Sequence, residues 1–235
     1  MHAGGEAATE GLSTRFDRAA SRYESWYETR RGGHAALVER RLLESLIGSG
    51  TSKQSILEVG CGTGYFTEWL DECHGRAVGL DLSAEMIREL RQRGRMFPVV
   101  RGEANRLPFE RESFDTVVFI TTIEFLDEPQ AAIREAVRVA RHGVVFLWLN
   151  PRSVGALRRM LTSGRLLSQV QPLTVRALRT MLLSCASDRA NGICWSSGLF
   201  PWPFSCLCGR VALGDVLAMK LSLMPSPIRG EIEGG

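Results

Sequence analysis

Ile56-Leu57-Glu58-Val59-Gly60-Cys61-Gly62-Thr63-Gly64 reads as an apolar strand that reaches an acidic residue and then breaks into glycine at every second position. Glycines so closely spaced let the backbone turn sharply and approach a ligand with no Cβ in the way, and a helix that follows turns its free NH groups toward that ligand. The pattern is that of a nucleotide-cofactor loop. A dinucleotide loop requires G-x-G-x-x-G. Here the third glycine, Gly64, comes one residue early and Tyr65 stands where that fingerprint needs glycine. The order favours a G-x-G-x-G loop lying against a ligand without a pyrophosphate, and it disfavours nicotinamide-dependent oxidoreduction.

The 235 residues suit one domain with appendages. Net charge is +3, but it is unevenly spread: up to Asn150 there are about 19 basic and 22 acidic groups, and beyond it about 10 and 4. Lys53 and Lys220 are the only lysines, so the excess is arginine. Nucleic-acid binding is not expected on this basis. No stretch is apolar enough for a membrane span and the N-terminus lacks a signal-peptide core, so a soluble, cytoplasmic chain is expected. The six cysteines contain no C-x-x-C pair, which argues against zinc and against a disulfide framework. Cys206-x-Cys208 and Cys73-His74 read as ordinary residues, and no metal is expected.

Working outward from the glycine loop, the organisation is that of alternating strands and helices. Upstream, Phe16, Ala19, Ala20, Tyr23, Trp26 and Tyr27 mark one face of a helix over residues 13–30, suited to a lid and ended by Gly32-Gly33. A second helix carries Leu37, Val38, Leu42, Leu43, Leu46 and Ile47. Downstream, strands are predicted at 76–80, from 98, at 114–121 and at 144–149, with helices at 84–93 and 130–140 and Ser83 as an N-cap. Such alternation implies an α/β fold, a parallel sheet with helices on both faces. Ligands then bind beyond the carboxyl ends of the strands, where Glu58, Asp81, Glu103 and Thr121 fall. Past Pro151 helices are predicted at 154–167 and, capped by Thr174, to 183. Strands at 193–200 and 216–223 are expected to close the sheet in antiparallel fashion, and the tail from 225 to be loose. The expected division is a helical cap over 1–50, a cofactor-binding core over 51–150, and cleft helices with closing strands of the same domain over 151–235.

Four successive motifs, Glu58-Val-Gly-Cys-Gly-Thr-Gly64, Gly79-Leu-Asp81-Leu-Ser83, Gly102-Glu103-Ala104-x-x-Leu107-Pro108-Phe109 and Ser113-Phe114-Asp115, resemble in order and spacing those of class I S-adenosylmethionine-dependent methyltransferases. Phe16-Asp17-x-Ala19-Ala20-x-x-Tyr23 with Trp26-Tyr27 resembles the entry helix of the small-molecule branch that includes the ubiquinone and menaquinone methyltransferases of type 11. The resemblance implies a Rossmann-like, seven-stranded, mostly parallel sheet with an N-terminal helical lid, and S-adenosyl-L-methionine as cofactor. It implies cofactor contacts from Tyr23, Gly60, Cys61, Gly62 and Gly64. Glu58 would accept from the methionine ammonium, since an ionised carboxylate suits a cation. Asp81, about 20 residues past the first glycine, would take the ribose hydroxyls. Leu82 and Met86 would wall the adenine, Glu103 and Ala104 meet its edge, and Ile120 and Thr121 line the floor near the sulfonium. Glu103 departs from the family's usual aspartate and lengthens the arm by one methylene.

Methyl transfer from a sulfonium needs alignment and exclusion of water more than a dedicated catalytic group. Where the acceptor must lose a proton, Glu124 and His34 are the candidate bases; many relatives have histidine where Glu124 stands. His142, at the start of the fifth predicted strand, reads as structural. The Asn/Asp-Pro-Pro-aromatic motif of DNA amino-methyltransferases is absent from Thr121-Thr122-Ile123-Glu124, and no cysteine lies between Cys73 and Cys185 to serve as an RNA methyltransferase nucleophile. The segment Leu157-Arg158-Arg159-Met160-Leu161, followed by Arg165, suits either a helix over the substrate cleft or peripheral lipid contact without stable insertion. The expected partner is a small, apolar or aromatic metabolite. A cofactor-binding module without catalysis is the alternative, and the oligomeric state is unknown.

Overall fold

Long apolar runs buried on both faces make the central strands of a parallel sheet, and this chain supplies several. The computed structural model describes residue 14 and residues 16–48, 53–153, 171–186, 188–199 and 214–224. Within them Ile56–Val59 (β1), Ala77–Asp81 (β2), Val99–Arg101 (β3), Phe114–Ile120 (β4), Ala140–Leu149 (β5), Ala190–Gly198 (β6) and Val216–Leu223 (β7) form one sheet in the order β3-β2-β1-β4-β5-β7-β6. β1 to β5 pair in parallel, while β7 runs antiparallel to both β5 and β6. The antiparallel closure expected from the sequence is present.

Side chains alternate between two cores, as the period of a strand requires. Val117 and Phe119 of β4 and Val144, Phe146 and Trp148 of β5 face one side; Val118, Ile120, Val145 and Leu147 face the other. Helices Pro129–Val139 (α5) and Val175–Cys185 (α6) cover the first face, and Arg30–Ile47 (α2) and Tyr65–His74 (α3) cover the second. The remaining crossover helix, Ala84–Gln92 (α4), joins β2 to β3 and begins at Ser83, whose Oγ accepts from Met86 N at 3.0 Å. Thr174 caps α6 in the same way, accepting from Ala177 N at 3.2 Å. The strand order reverses between β1 and β4, and that crevice is where the fold leaves room for a ligand.

The N-terminal reading needs correction. Residues 16–19 are helical and pass into a tight 3-10 turn, Ala20–Arg22, followed by a short helix Ser25–Glu28 (α1) and then α2. The predicted single helix over 13–30 is thus broken, the second time at Thr29, which is extended and caps α2 through Oγ1 to Gly32 N at 3.0 Å. Gly32-Gly33 do not end a helix but open one. A Cβ on Gly32 would lie 1.8 Å from the Trp26 carbonyl oxygen, so glycine is there to let α1 pack on the first turn of α2. β5 also starts four residues before the predicted 144, because exposed Arg141 and His142, both beside Asp115, interrupt the apolar pattern. The predicted helix at 154–167, including Arg158, Arg159 and Arg165, the pair Cys206 and Cys208, and the tail from 225 lie outside the described residues. No helix among the described residues is long and apolar enough to cross a membrane.

Candidate functional site

Gly60, Gly62 and Gly64 all take positive φ, at 76°, 55° and 83°. At Gly60 an added Cβ would meet Thr122 Cγ2 at 2.3 Å, and at Gly64 it would meet Phe97 Cζ at 2.5 Å, so both positions are closed to any side chain. The loop is tied to the end of β2 by Gly60 N and Cys61 N, which donate to Leu80 O at 2.7 and 3.0 Å. The Cys61 side chain tucks beneath the loop, against Gly79, and burial pushes its thiol well above the ordinary range. Above Gly62 the space is freer: its missing Cβ would find only Tyr23 Cε1 at 3.7 Å and Met86 Sδ at 3.9 Å.

Two carboxylates flank this loop. Asp81 accepts from Gly62 N through Oδ2 at 2.7 Å and from Ser83 N through Oδ1 at 2.8 Å. Burial raises its pKa, and those two amides oppose the rise. Glu58, 2 % exposed, accepts from Thr67 Oγ1 through Oε2. Burial pushes its carboxyl up to about 8, the Thr67 hydroxyl and Arg95 acting in the opposite sense.

The N-terminal segment lies across the same ground. Ser83 Oγ donates to Asp17, Tyr23 is hydrogen-bonded to Thr121, and the Phe16 ring meets Phe125 edge to face at 5.4 Å. Burial raises the Tyr23 phenol far above its usual range, and Asp81, Glu124 and Glu58 all raise it further. Glu24, which sequence reasoning passed over, forms a buried ion pair with Arg95 and accepts from Thr63 Oγ1, while Arg95 also donates to Thr63 O at 2.5 Å. One buried cluster therefore joins the N-terminal segment, the glycine loop and the turn after α4.

At the end of β4, Thr121 sits at φ 47°, a rare conformation for a β-branched residue, and its amide donates to Leu147 O at 2.7 Å. Glu124 is buried in the 3-10 turn that follows; its Oε1 accepts from Leu149 N at 3.1 Å and its backbone carbonyl from Gln171 N at 2.9 Å. Near it stands a group the sequence reading missed, Glu39 of α2. Burial, reinforced by Glu124, pushes the Glu39 carboxyl up to about 7, and its Oε2 has no hydrogen-bond partner among the described residues. The signal was present: Glu39 lies four residues after Ala35 and four before Leu43, on the buried stripe of α2.

Of the other predicted residues, Met86 and Ile120 are buried, Leu82 and Ala104 half-buried, and Glu103 exposed. His34 lies in the second turn of α2, and no described hydrogen bond or ion pair joins it to Glu58, Asp81, Thr121 or Glu124. The described hydrogen bonds and electrostatic contacts thus join Tyr23, Glu58, Asp81, Thr121 and Glu124, while the buried Nε2 of His34 has no hydrogen-bond partner among the described residues. His142 is exposed at the opposite end of the sheet, 3.7 Å from Asp115. Among the described residues no group of three or more His, Cys, Asp or Glu is placed to hold a metal ion.

Residues 57–148 match the family model for a methyltransferase domain. A malonyl-[acyl-carrier protein] O-methyltransferase of Serratia marcescens is 29% identical over 153 residues, which cover 64% of this chain and 56% of that protein. A demethylmenaquinone methyltransferase of a Roseiflexus species is 32% identical over 177 residues, 69% of this chain and 71% of that protein. The chain thus spans little more than half the length of the first relative and over two thirds of the second. Among solved structures, a Thermotoga maritima S-adenosylmethionine-dependent methyltransferase, described as a possible histamine N-methyltransferase, shares the fold with a TM-score of 0.74 at 22% identity, over 88% of this chain and 97% of that one. The resemblance first carried by four short motifs thus extends over the sheet that holds them, and the chain belongs to the S-adenosylmethionine-dependent methyltransferases.

Proposed function

We propose that the chain transfers the methyl group of S-adenosylmethionine to a small, apolar or aromatic metabolite. The observation that carries this reading is the pairing of Glu58 and Asp81, one carboxylate buried and the other half-buried, at the carboxyl ends of neighbouring strands, on either side of a loop of three left-handed glycines.

These residues fit the cofactor. Asp81 is fixed by backbone amides on both oxygens, from Gly62, Ser83 and Leu82, in an orientation suited to accept from the hydroxyls of a ribose diol. Glu58 has only one side-chain donor among the described residues, Thr67, and a ligand ammonium would offset the burial that now holds its proton. Gly62 offers the backbone approach that a methionine moiety needs. Leu82 and Met86 would wall the adenine, with Glu103 and Ala104 at its edge and Tyr23, Ile120 and Thr121 near the sulfur. Bound there, the cofactor supplies a methyl group on a sulfonium that leaves as the neutral thioether.

The chain's own part is alignment and dryness. The N-terminal segment, held by Asp17, Tyr23 and Glu24, would act as the lid. Where the acceptor is a hydroxyl or an acidic carbon, its proton would pass to the carboxylate pair Glu39 and Glu124, with Glu39 poised near neutrality. His34 is the less favoured base. A cytoplasmic location belongs to the same proposal, supported by Cys61, Cys73, Cys185 and Cys194 all being free thiols.

Incubation with methyl-labelled S-adenosylmethionine and a metabolite extract tests the reading. Label should appear in low-mass, organic-extractable products together with S-adenosylhomocysteine, and should vanish in Asp81→Ala. Tight cofactor binding with no transfer to any acceptor would instead support a binding module.

A further inference from the structure

Part of the basic excess of the C-terminal part, three of its arginines, gathers at one place in the fold. A cleft of about 590 Å³ opens on the α5/α6 face of the sheet, beyond the end of β5. Arg152, Arg176 and Arg179 line it, and among the described residues no acidic side chain does. Several arginines elsewhere are neutralised: Arg88 by Glu85, Arg93 and Arg95 by Glu24, Arg138 by Glu135, Arg141 by Asp115 and Arg189 by Glu112. Arg152, Arg176 and Arg179 make no ion pair with any described residue, although three like charges gathered round one hollow repel one another. Thr174, Val175 and Arg176 begin α6, so the positive end of that helix adds to the same field. The remaining walls include Trp195, Leu183 and Leu217. A cationic rim over an apolar floor suits an amphiphile: an anion paired with the guanidinium groups and an apolar body against the indole.

The cleft also adjoins the proposed reaction floor. Thr121 N bonds to Leu147 O, and Asn150, which lines the cleft, stands three residues further along the same strand direction. At the rise of a strand this is about 10 Å. Glu124 bonds to Leu149 N, between the two.

We propose that this arginine-lined cleft holds the anionic end of the methyl acceptor, a phosphate or carboxylate carried on an apolar body roughly 10 Å from the atom that receives the methyl group. The assignment rests on the methyl-transfer reading above, but anion binding is measurable without turnover.

The probe is octyl phosphate below its micellar concentration, with octanol as the uncharged control, titrated calorimetrically into the full chain saturated with S-adenosylhomocysteine. Binding of octyl phosphate and not of octanol is expected, weakened at least tenfold in the charge-reversed double variant Arg176→Glu, Arg179→Glu, with S-adenosylhomocysteine affinity unchanged. Sedimentation with phosphatidylglycerol against phosphatidylcholine vesicles separates the two sources of such a group. Charge-dependent capture by the anionic vesicles alone, lost in the double variant, assigns the cleft to a lipid headgroup; binding of the soluble probe assigns it to a free metabolite. Equal octyl phosphate affinity in wild type and variant, or no binding of either probe, overturns the proposal. If S-adenosylhomocysteine fails to bind while octyl phosphate binds, the anion cleft stands and the methyl-transfer reading falls.

Discussion

Replacing Glu58 by Gln keeps the shape of the side chain and removes its titration. Burial holds this carboxyl at about 8, against 4.5 for an exposed glutamate. The folded pKa is raised, so between those two values the folded protein keeps a proton that the unfolded chain has released, and stability falls as pH rises, by about 1.4 kcal/mol per pH unit. From pH 5 to pH 7 the loss is about 3 kcal/mol, or roughly 6–12 °C in melting temperature for a chain of this size. Glu39 adds a similar fall that levels off near its own pKa of about 7, but it does so in both proteins, so their difference isolates Glu58. The Glu58→Gln variant should therefore gain on wild type by about that amount across the interval when stability is followed by urea denaturation without ligand. Its affinity for S-adenosylhomocysteine should fall at least tenfold, about 1.4 kcal/mol, for want of a charge opposite the ammonium. Binding must also expel the proton: at pH 7 wild type should release protons on ligand binding, seen as a calorimetric enthalpy that varies with the buffer. Parallel stability profiles for the two proteins, or a buffer-independent enthalpy in wild type, would refute this reasoning.

Other consequences follow from the same geometry. The Glu39→Gln variant should lose the limb of the pH–rate profile that rises through about pH 7 in wild type, where Glu39 gives up its proton, with little change in cofactor affinity. Gly60→Ala forces a side chain into Thr122 and should cost about 2–4 kcal/mol, whereas Gly94→Ala, at φ 74° with nothing within 4 Å, should cost only about 1 kcal/mol of backbone strain. Denaturant midpoints of the two variants measure that difference. Arg95→Met leaves the buried Glu24 carboxylate with only Arg93 and the Thr63 hydroxyl and should destabilise by about 3 kcal/mol, the low end for a broken buried pair. The double variant Glu24→Gln, Arg95→Met should recover part of that loss, and a double-mutant cycle reads the coupling.

Sequence reading succeeded where local chemistry decides structure. The strand and glycines from Ile56 to Gly64 and the caps Ser83 and Thr174 each carry their instruction within a few residues, and β7 fell where its run of apolar residues predicted. Reading failed where the deciding contact is distant. Gly32 reads as a helix breaker because glycine usually is one, yet it serves packing against Trp26, which only the folded chain reveals. The site divides in the same way. Glu58, Asp81 and Thr121 sit at strand ends and were visible from the strand pattern. Glu24 and Arg95 are 71 residues apart in sequence and meet only in the fold. Glu39 was hidden by its company, one charge within the apolar stripe of α2. His34 drew notice as a histidine near the lid, and its Nε2 is buried without a hydrogen-bond partner among the described residues.

The central claim is that the glycine loop with Glu58 and Asp81 holds S-adenosylmethionine. Calorimetric titration of the chain with S-adenosylhomocysteine tests it most directly. The account predicts saturable binding at a single site, weakened more than tenfold by Asp81→Ala; no heat of binding at millimolar ligand, or equal affinity in that variant, would contradict it.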